Sequence, residues 1–443
     1  MQLKKRKRFL TRMFMIAGLV IALVAFIGAG SKPEKEEITI KVLGWQPGGA
    51  EAWNEVADMF MQEHPNIKIE YEVVPMEGYY PKQGAYLAAK SGPDIMGNNC
   101  GFETWERKDG YIDHRSLISK DRDAVDHLLD TTSNHLAYDK SKPSYGLSFS
   151  YQGNVWYFNK EILRNAGLDP DNPPVTWEEF DRAARAIKKT GKAPIATGVG
   201  HTIAYWIFPE VAKNFWKSEQ QITDFAMGKI RWSDPVLENT LKYMADMVER
   251  EWFQEGAATI NMQPDGFDFF LREEAAFTPS IISDAFHWKA AGDAIGHEKV
   301  GAMLAPSVNP DAPFARKFSG VPGSSWGITP WSEHQDEAWE FIKFFISADL
   351  ANMWLEMGGM QPNTSQFDAS VNAYAPAFLQ IQEIIKNPMV HAGVLNSGRE
   401  LDELSRGYQE VMAGQLTVKE WIKRMNAALD ESRLKKPDNP MWK

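Results

Sequence analysis

The segment from residue 38 to residue 73 predicts a strand, a helix and a second strand in direct succession. Residues 38–45, ITIKVLGW, alternate apolar and polar side chains, which is typical of a half-buried strand. After the break QPGG, residues 51–63 carry their large apolar side chains on one helical face, and residues 67–73 alternate again. Because two strands joined through a helix close most readily with a right-handed crossover, we expect an α/β fold with a partly parallel sheet.

Helix starts of the same kind recur further along the chain. The quartets TWEE from Thr176 and TVKE from Thr417 have the spacing of a capping box, in which the first and fourth residues satisfy each other's backbone N–H groups. Residues 155–168, VWYFNKEILRNAGL, change from strand-like to helical spacing at Asn159. These signals predict alternating strands and helices through most of the chain.

The length and composition predict two lobes. A chain of 443 residues with 44% hydrophobic side chains is long enough for two good cores and too long for one small domain.

The N-terminal 30 residues have the layout of a secretory signal. Six basic residues precede an uncharged apolar run over residues 13–30, which ends in Gly28, Ala29 and Gly30. A retained membrane anchor is the alternative, because 18 apolar residues nearly span a bilayer. We therefore predict a signal peptide or anchor over residues 1–30, a polar spacer over 31–37, and a protein exported to the periplasm or the outer face of the cytoplasmic membrane.

The charge of the chain argues against several partners. The formal net charge of −11 becomes −17 when the six basic residues of the N-terminal segment are removed. Such an acidic surface disfavours nucleic acid and anionic membrane, so we expect no nucleic-acid partner and membrane contact only through the N-terminal segment or a permease. The one cysteine, Cys100, excludes an internal disulfide and a multi-cysteine metal site.

One enzyme motif matches the sequence, but its surroundings argue against it. Residues 323–327, GSSWG, satisfy the pattern G-x-S-x-G with Ser325 in the nucleophile position. A nucleophile elbow needs a helix directly after the serine, whereas ITPW follows here. No nucleotide, zinc-protease or CxxC motif is present, so we predict no catalytic residue, no metal and no cofactor.

The sequence is rich in aromatic residues, with 16 Trp, 13 Tyr and 24 Phe. Core packing is the usual role of such residues. Some of them, such as Trp45 and Trp326, lie next to small residues in predicted loops, and in α/β proteins ligands bind at the carboxyl ends of strands. Rings in such loops could stack on the C–H faces of a sugar, and both interpretations stay open from composition alone.

Several segments, in order, resemble extracellular solute-binding proteins of ABC importers, family 1, the carbohydrate binders that include the maltose-binding protein. The similar segments are SGPDI at residues 91–95, SYGLSFSYQGNVWYFNKEILRNAGLDPDNPPVTWEEF at 144–180, WSEHQDEAWEFIKFFIS at 331–347 and GGMQPNTSQF at 358–367. The resemblance extends over about residues 38–429.

The resemblance implies a two-lobed periplasmic-binding-protein fold of type II, with a ligand cleft between the lobes and several hinge crossings. It implies an N-terminal lobe of residues 38–151 plus about 305–350, a C-terminal lobe of 152–304 plus about 351–430, and a polar tail of 431–443. It places the hinge at Tyr151 and Gln152.

The resemblance also implies a set of ligand-binding residues, located after the first strand, after GPDI, before the YFNK turn, in the segment SDAFHW and in the loop GSSWG. They are Trp45, Gln46, Gly48, Asn98, Asn99, Gln152, Asn154, Ser283, Asp284, Phe286, Trp288, Ser324, Ser325 and Trp326.

By this resemblance we expect a monomer that captures a carbohydrate, such as an oligosaccharide, and delivers it to the permease of an ABC importer. Family members that are anchored by lipid carry a cysteine at the end of the signal, where this chain has Gly30. Two alternatives stay open: an exported carbohydrate-active hydrolase that uses Ser325 or a carboxylate pair, and the same fold with a non-sugar solute.

Overall fold

The computed structural model describes residues 37–45, 50–74, 76–98, 107–129, 143–200, 203–282, 287–357, 360–390 and 397–435. The predicted signal or anchor and nearly all of the spacer lie outside the described residues. Residues Met1–Glu37 and Ile38–Lys443 form two separate units, and all the described strands and helices belong to the second unit. None of the helices in the described ranges is long and apolar enough to span a bilayer.

The strands are mostly short. In chain order the described strands are β1 (Ile38–Gly44), β2 (Ile67–Val73), β3 (Ile95–Asn98), β4 (Leu147–Ser148), β5 (Tyr151–Gln152), β6 (Asn154–Asn159), β7 (Ala193–Ile195), β8 (Ala275–Ile281), β9 (Val300–Met303), β10 (Phe318–Pro322), β11 (Ser325–Ile328) and β12 (Pro388–Val390).

Helices alternate with these strands. In chain order the described α-helices are α1 (Ala50–Glu63), α2 (Met76–Ala89), α3 (Arg115–Lys120), α4 (Arg122–Val125), α5 (Lys160–Asn165), α6 (Trp177–Lys188), α7 (Ile203–Ala212), α8 (Glu219–Ala226), α9 (Pro235–Glu249), α10 (Phe267–Leu271), α11 (His287–Ile295), α12 (Gln335–Phe345), α13 (Ala348–Met357), α14 (Pro376–Ile384), α15 (Gly398–Met412) and α16 (Val418–Lys435).

The first lobe is built on a five-stranded sheet of order β2-β1-β3-β11-β4. β1 runs parallel to β2, with Ile38 opposite Ile67 and Gly44 opposite Val73, and it also runs parallel to β3. This confirms the predicted strand–helix–strand unit. Apolar residues of α1, α12 and α13 pack on one face of the sheet and form the core of this lobe.

The second lobe contains a four-stranded sheet of order β7-β8-β6-β9. β7 runs parallel to β8, whereas β6 is antiparallel to both β8 and β9. Its larger core joins β6 and β8 to α6, α7 and α9, and the last two helices, α15 and α16, pack onto the same core.

Side-chain caps explain where the helices begin. Asn159 ends β6, and its Oδ1 accepts the backbone N–H groups of Glu161 and Ile162 at 2.9 and 3.1 Å. This cap satisfies two N–H groups that the first helical turn leaves unpaired, so the strand turns directly into α5. The capping boxes predicted from Thr176 and from Thr417 are both confirmed.

A third, small sheet of order β12-β10-β5 lies where the two lobes meet. β10 pairs with β5, and Phe314 and Phe318, just before and within β10, pack in the second lobe's clusters. After β10, which is held by β5 and β12, the chain passes Gly323 and enters the first lobe's sheet as β11.

The first residues of the predicted polar tail belong to the last helix. α16 continues to Lys435, and Ser432 within it is buried and shares a hydrogen bond of 2.6 Å with Ser397. Residues 431–435 are thus helical because this contact ties them to the start of α15.

Candidate solute-binding site

The first lobe presents a buried carboxamide at the end of β3. Asn98, the last residue of β3, pairs with Ser325, the first residue of β11, and the Ser325 hydroxyl donates to the Asn98 carbonyl oxygen at 3.1 Å. The Asn98 side chain is fully buried, and neither its Nδ2 nor its Oδ1 has a hydrogen-bond partner among the described residues.

The second lobe presents a matching group at the start of β6. Asn154 lies opposite Ile281, the last residue of β8, and it too is buried with both side-chain polar atoms unpartnered within the described part of the chain. Leaving a buried polar group unsatisfied costs about 1–3 kcal/mol. Each lobe therefore carries a buried amide whose hydrogen bonds are not supplied by the described residues.

Three chain segments run side by side between the two lobes. Tyr151 and Gln152, the predicted hinge residues, form β5 and pair with Pro322 and Val321 of β10. On the other side, the Tyr151 N–H donates to the Gln361 carbonyl oxygen at 2.9 Å. The lobes are therefore joined by segments that hold one another through backbone hydrogen bonds.

The loop between β10 and β11 is packed tightly against the first of these segments. The Gly323 N–H donates to the Ser150 carbonyl oxygen at 2.7 Å, and the Ser324 N–H donates to Ser150 Oγ at 3.0 Å. A Cβ atom at residue 323 would collide with the Ser150 side chain, so glycine is required there for steric reasons.

The GSSWG motif is not a nucleophile elbow. Ser325 begins a strand instead of a strand-to-helix turn, and its buried hydroxyl donates to a backbone carbonyl. The motif therefore lies at the junction of two strands, which agrees with the interpretation drawn from the residues that follow it.

A buried serine–histidine pair elsewhere in the second lobe is also poorly suited to catalysis. Ser280 of β8 is hydrogen-bonded to Nδ1 of His287, the first residue of α11. Burial lowers the pKa of His287 to about 3. That environment opposes the imidazolium that a serine nucleophile needs its histidine to form.

Trp326 does not form the open ring platform that was predicted. Its ring is fully buried in the first-lobe core, with the rings of Trp53, Phe149 and Phe345 at centroid distances of 5.1, 5.2 and 5.5 Å. Alternation along β11 directs Ser325 and Trp326 to opposite faces of the sheet, so the indole packs in the core.

The rings of Trp45 and Trp288 are likewise buried against other aromatic side chains. Trp45 meets Tyr79 edge to face at 4.9 Å and covers Gly97, where a Cβ would strike the indole. Trp288 packs against Phe378 at 5.1 Å. Both tryptophans are at least 95% buried, so neither offers a free face for stacking.

The other predicted ligand-binding residues fall into two groups: some lie near the loop between β10 and β11, and the rest lie outside the described residues. Gln152 and Ser324 lie close to Gly323, in the segments that run between the lobes. Six predicted residues lie outside the described ranges: Gln46, Gly48, Asn99, Ser283, Asp284 and Phe286.

Two further polar side chains, which the sequence did not suggest, are buried with an atom that the described residues leave unpartnered. Gln83 of α2 is fully buried, and its Oε1 has no partner in the described ranges. The same holds for the hydroxyl of Thr197, which follows β7 at the sheet edge where β6 begins. No short-range pattern marks either residue, because each acquires its burial from distant segments.

The described residues contain no group of three or more histidine, cysteine or carboxylate side chains placed to hold a metal ion. In the same ranges the one buried lysine or arginine is Lys213, whose ammonium is 2.6 Å from Glu210 Oε2. In the described ranges, the buried polar groups with an unpartnered atom at the ends of β3, β6 and β7 are the amides of Asn98 and Asn154 and the hydroxyl of Thr197.

Comparison with known proteins agrees with this architecture. The family model described as bacterial extracellular solute-binding protein matches residues 45–351. The sn-glycerol-3-phosphate-binding periplasmic protein of Brucella suis is 28% identical over 208 residues, which is 45% of this chain and 46% of that protein. The chain thus aligns with about half the length of this curated relative.

Solved structures share the fold at lower identity. A chitin oligosaccharide binding protein superimposes with a TM-score of 0.76 and 18% identity over 90% of this chain and 99% of its own. Maltose-bound MalE3 of T. maritima gives a TM-score of 0.72 and 20% identity over 89% of this chain and 99% of its own. With the family match extending over more than half of its residues, the chain belongs to the bacterial extracellular solute-binding protein family.

Proposed function

We propose that this protein captures a neutral carbohydrate, an oligosaccharide, between its two lobes and delivers it to the permease of an ABC importer. The observation that carries this proposal is the pair of buried, unpartnered carboxamides Asn98 and Asn154 in the described ranges, one at a strand end of each lobe. A carboxamide both donates and accepts hydrogen bonds, as does a sugar hydroxyl. A solute that satisfies both amides would favour the closed arrangement of the lobes.

The absence of charge on the amides of Asn98 and Asn154 supports a neutral solute. Within the described residues the buried lysine, Lys213, is already paired with Glu210. An anionic solute would need a positive partner to offset its loss of hydration. The glycerol-phosphate ligand in the relative's name is therefore a less suitable candidate for this chain, and it serves as a test case.

We propose that the remaining contacts come from Gln152, Ser324 and Ser325 and from the predicted residues outside the described ranges, Gln46, Gly48, Asn99, Ser283, Asp284 and Phe286. Of these residues, only Phe286 is aromatic. Trp45, Trp288 and Trp326 are not retained as stacking surfaces, because their rings are buried against other side chains.

We further propose that the protein acts as an exported monomer at the outer face of the cytoplasmic membrane or in the periplasm. Families of this kind work outside the cytoplasm, and the basic and apolar N-terminal segment is suited to export or anchoring.

The proposal is tested by a binding screen of the purified protein. We would measure melting temperature with xylotriose, maltotriose, chitotriose and sn-glycerol 3-phosphate, and then the affinity of each stabilising compound by calorimetry. A ligand that binds only the folded state at a concentration of 100 times Kd adds about 2.7 kcal/mol to its stability. Stabilisation by a trisaccharide supports the proposal, and stabilisation by glycerol phosphate alone contradicts it.

Incubation with the same trisaccharides distinguishes binding from hydrolysis. Recovery of intact sugar from the complex supports a binding protein. Release of shorter products would favour the hydrolase alternative.

A further inference from the structure

Three side chains converge on one backbone carbonyl beside Asn98. The Gly97 carbonyl oxygen accepts hydrogen bonds from Tyr79 Oη at 2.6 Å, Gln83 Nε2 at 3.1 Å and Tyr111 Oη at 3.2 Å. The pairing between β1 and β3 ends at Leu43 and Met96, so Gly97 lies beyond it. Side chains from α2 and from Tyr111 therefore replace the ladder at this point.

These contacts fix the orientation of the Gln83 carboxamide. A carbonyl oxygen only accepts, so the group that faces Gly97 must be the NH2 of the amide. The second hydrogen of the same Nε2 is donated to Tyr111 Oη, at an N–O distance of 2.5 Å. Both donor positions are taken, and Oε1 is left as a buried acceptor without a partner among the described residues.

Gln83 and Asn98 are adjacent in space. Gln83 binds the carbonyl of the peptide group that joins Gly97 to Asn98. Met96 and Asn98 share a face of β3 by alternation, and Met96 packs with Tyr79 and Tyr111. One buried end of β3 thus carries two amides with polar atoms unsatisfied by the described residues, only one of which was expected from the sequence.

We propose that Gln83 determines specificity in the solute site by accepting a hydrogen bond from one hydroxyl of the sugar. This inference rests on the proposed carbohydrate-binding function. Because both of its N–H groups are engaged, Gln83 offers that hydroxyl an acceptor only. A neutral O–H can donate to it, whereas an ionised phosphate or carboxylate oxygen cannot and is disfavoured.

The test pairs a protein variant with modified sugars. The Gln83→Met variant keeps the length of the side chain and removes the amide. Tyr79→Phe is the matched control, since it removes a donor to the same Gly97 carbonyl and leaves both acceptors of the Gln83 N–H groups in place. Calorimetry would compare both with wild type for maltotriose, xylotriose or chitotriose, whichever binds, and for monodeoxyfluoro analogues of that sugar, in which fluorine replaces one hydroxyl donor.

The proposal predicts a loss of affinity that depends on a single hydroxyl. For the parent sugar, Gln83→Met should weaken binding by about tenfold or more. The analogue that lacks the relevant hydroxyl should bind wild type more weakly than the parent sugar does. Gln83→Met should bind that analogue with the same affinity as wild type. Tyr79→Phe should change affinity by the same factor for every analogue.

The failures of the two proposals can be told apart. Unchanged affinity of Gln83→Met, or an equal loss for every analogue, overturns the role of Gln83 while leaving carbohydrate binding intact. Absence of binding by wild type to all three trisaccharides overturns both proposals.

A crystal structure of the wild-type complex covers the case in which Gln83→Met does not fold. The proposal is supported if a sugar hydroxyl lies at hydrogen-bond distance, about 3 Å, from Gln83 Oε1. A bound sugar with no atom near Oε1 overturns it.

Discussion

Ser150 Oγ accepts the backbone N–H of Ser324 at 3.0 Å, and this hydrogen bond joins two of the segments that connect the lobes. Both residues are at least 95% buried, so water cannot readily replace the contact. Ser148 donates to the Ser150 carbonyl oxygen at 2.8 Å, which places a second serine in the same crossing. The connection between the lobes is thus held by buried side-chain hydroxyls as well as by backbone pairing.

Replacing Ser150 with alanine should destabilise the protein by about 1–3 kcal/mol, because it removes the acceptor of a buried N–H group. Urea unfolding would measure the loss. Ser119→Ala is the matched control, since Ser119 is exposed on α3 and its replacement should change the free energy of unfolding by less than about 0.5 kcal/mol. Equal stability of the two variants would contradict a structural role for the Ser150 hydroxyl.

Replacing Asn98 or Asn154 with leucine should separate stability from binding. Each amide is buried without a partner among the described residues, so an apolar side chain of similar size should leave the unliganded protein as stable as before or more stable. Sugar affinity should fall by about tenfold or more, which is at least about 1.4 kcal/mol. Thermal unfolding without sugar and calorimetry with the trisaccharide found in the screen check the two effects.

The control for these variants is an asparagine whose side chain is bonded. Asn426 Oδ1 accepts the Trp232 N–H at 3.0 Å, so Asn426→Leu should lower stability and leave affinity unchanged. If Asn98→Leu or Asn154→Leu behaved like this control, the unpartnered amides would not be solute contacts.

Trp326→Phe should act on stability alone. The indole is buried among Trp53, Phe149 and Phe345, and its Nε1 has no hydrogen-bond partner in the described part of the chain. A smaller ring should cost about 1–3 kcal/mol, less than the 3–5 kcal/mol typical of a buried aromatic replaced by alanine. Unfolding and calorimetry together test this. If Trp326→Phe lost much of its sugar affinity while keeping normal stability, Trp326 would be a solute contact after all.

Features that depend on neighbouring residues were predictable from the sequence. The parallel pair β1 and β2 follows from alternation in two short segments and a helical face between them. The start of α5 follows from a single asparagine that caps it. In the first case each deciding pattern lies within one strand or one helix of a continuous segment, and in the second it lies within one helical turn.

The roles of the tryptophans and of Gln83 were not predictable, because they depend on contacts across the fold. Trp326 has small residues beside it in sequence, yet its strand directs it to the core face where α1 and α12 pack. The Gln83 amide is oriented by Gly97 and by Tyr111, the latter 28 residues away. Neither relationship leaves a local pattern.

Two buried histidines should make the protein lose stability as the pH falls below neutrality. The His114 ring bridges two segments of the first lobe, with Nδ1 3.2 Å from the Ser144 carbonyl oxygen and Nε2 accepting the Ile328 N–H at 3.2 Å. Since Nε2 accepts, the folded protein holds a neutral ring that is protonated on Nδ1. Burial lowers the pKa of His114 to about 4, and burial likewise lowers the pKa of His287 to about 3.

The sign follows from proton binding in the two states. An unfolded histidine has a pKa of about 6.5, so between about pH 6.5 and pH 4 the unfolded chain binds more protons than the folded one. The free energy of unfolding therefore falls as the pH is lowered through this window. His114 alone would contribute a loss of up to about 3 kcal/mol by pH 4.

Urea unfolding of wild type and His114→Gln at pH 7.5, 6.5, 5.5 and 4.5 isolates this contribution from the carboxylates that titrate in the same range. Glutamine keeps one donor and one acceptor but does not titrate, so the variant should be less stable than wild type at pH 7.5 and should lose less stability on acidification. Tyr111→Phe, which alters the same region without removing a histidine, should keep the wild-type pH dependence. Parallel curves for His114→Gln and wild type would mean that His114 binds protons equally in the folded and unfolded chains, so that its pKa is not lowered by burial. The ring would then become protonated on Nε2 within this range, and the Ile328 N–H would have to be bonded elsewhere.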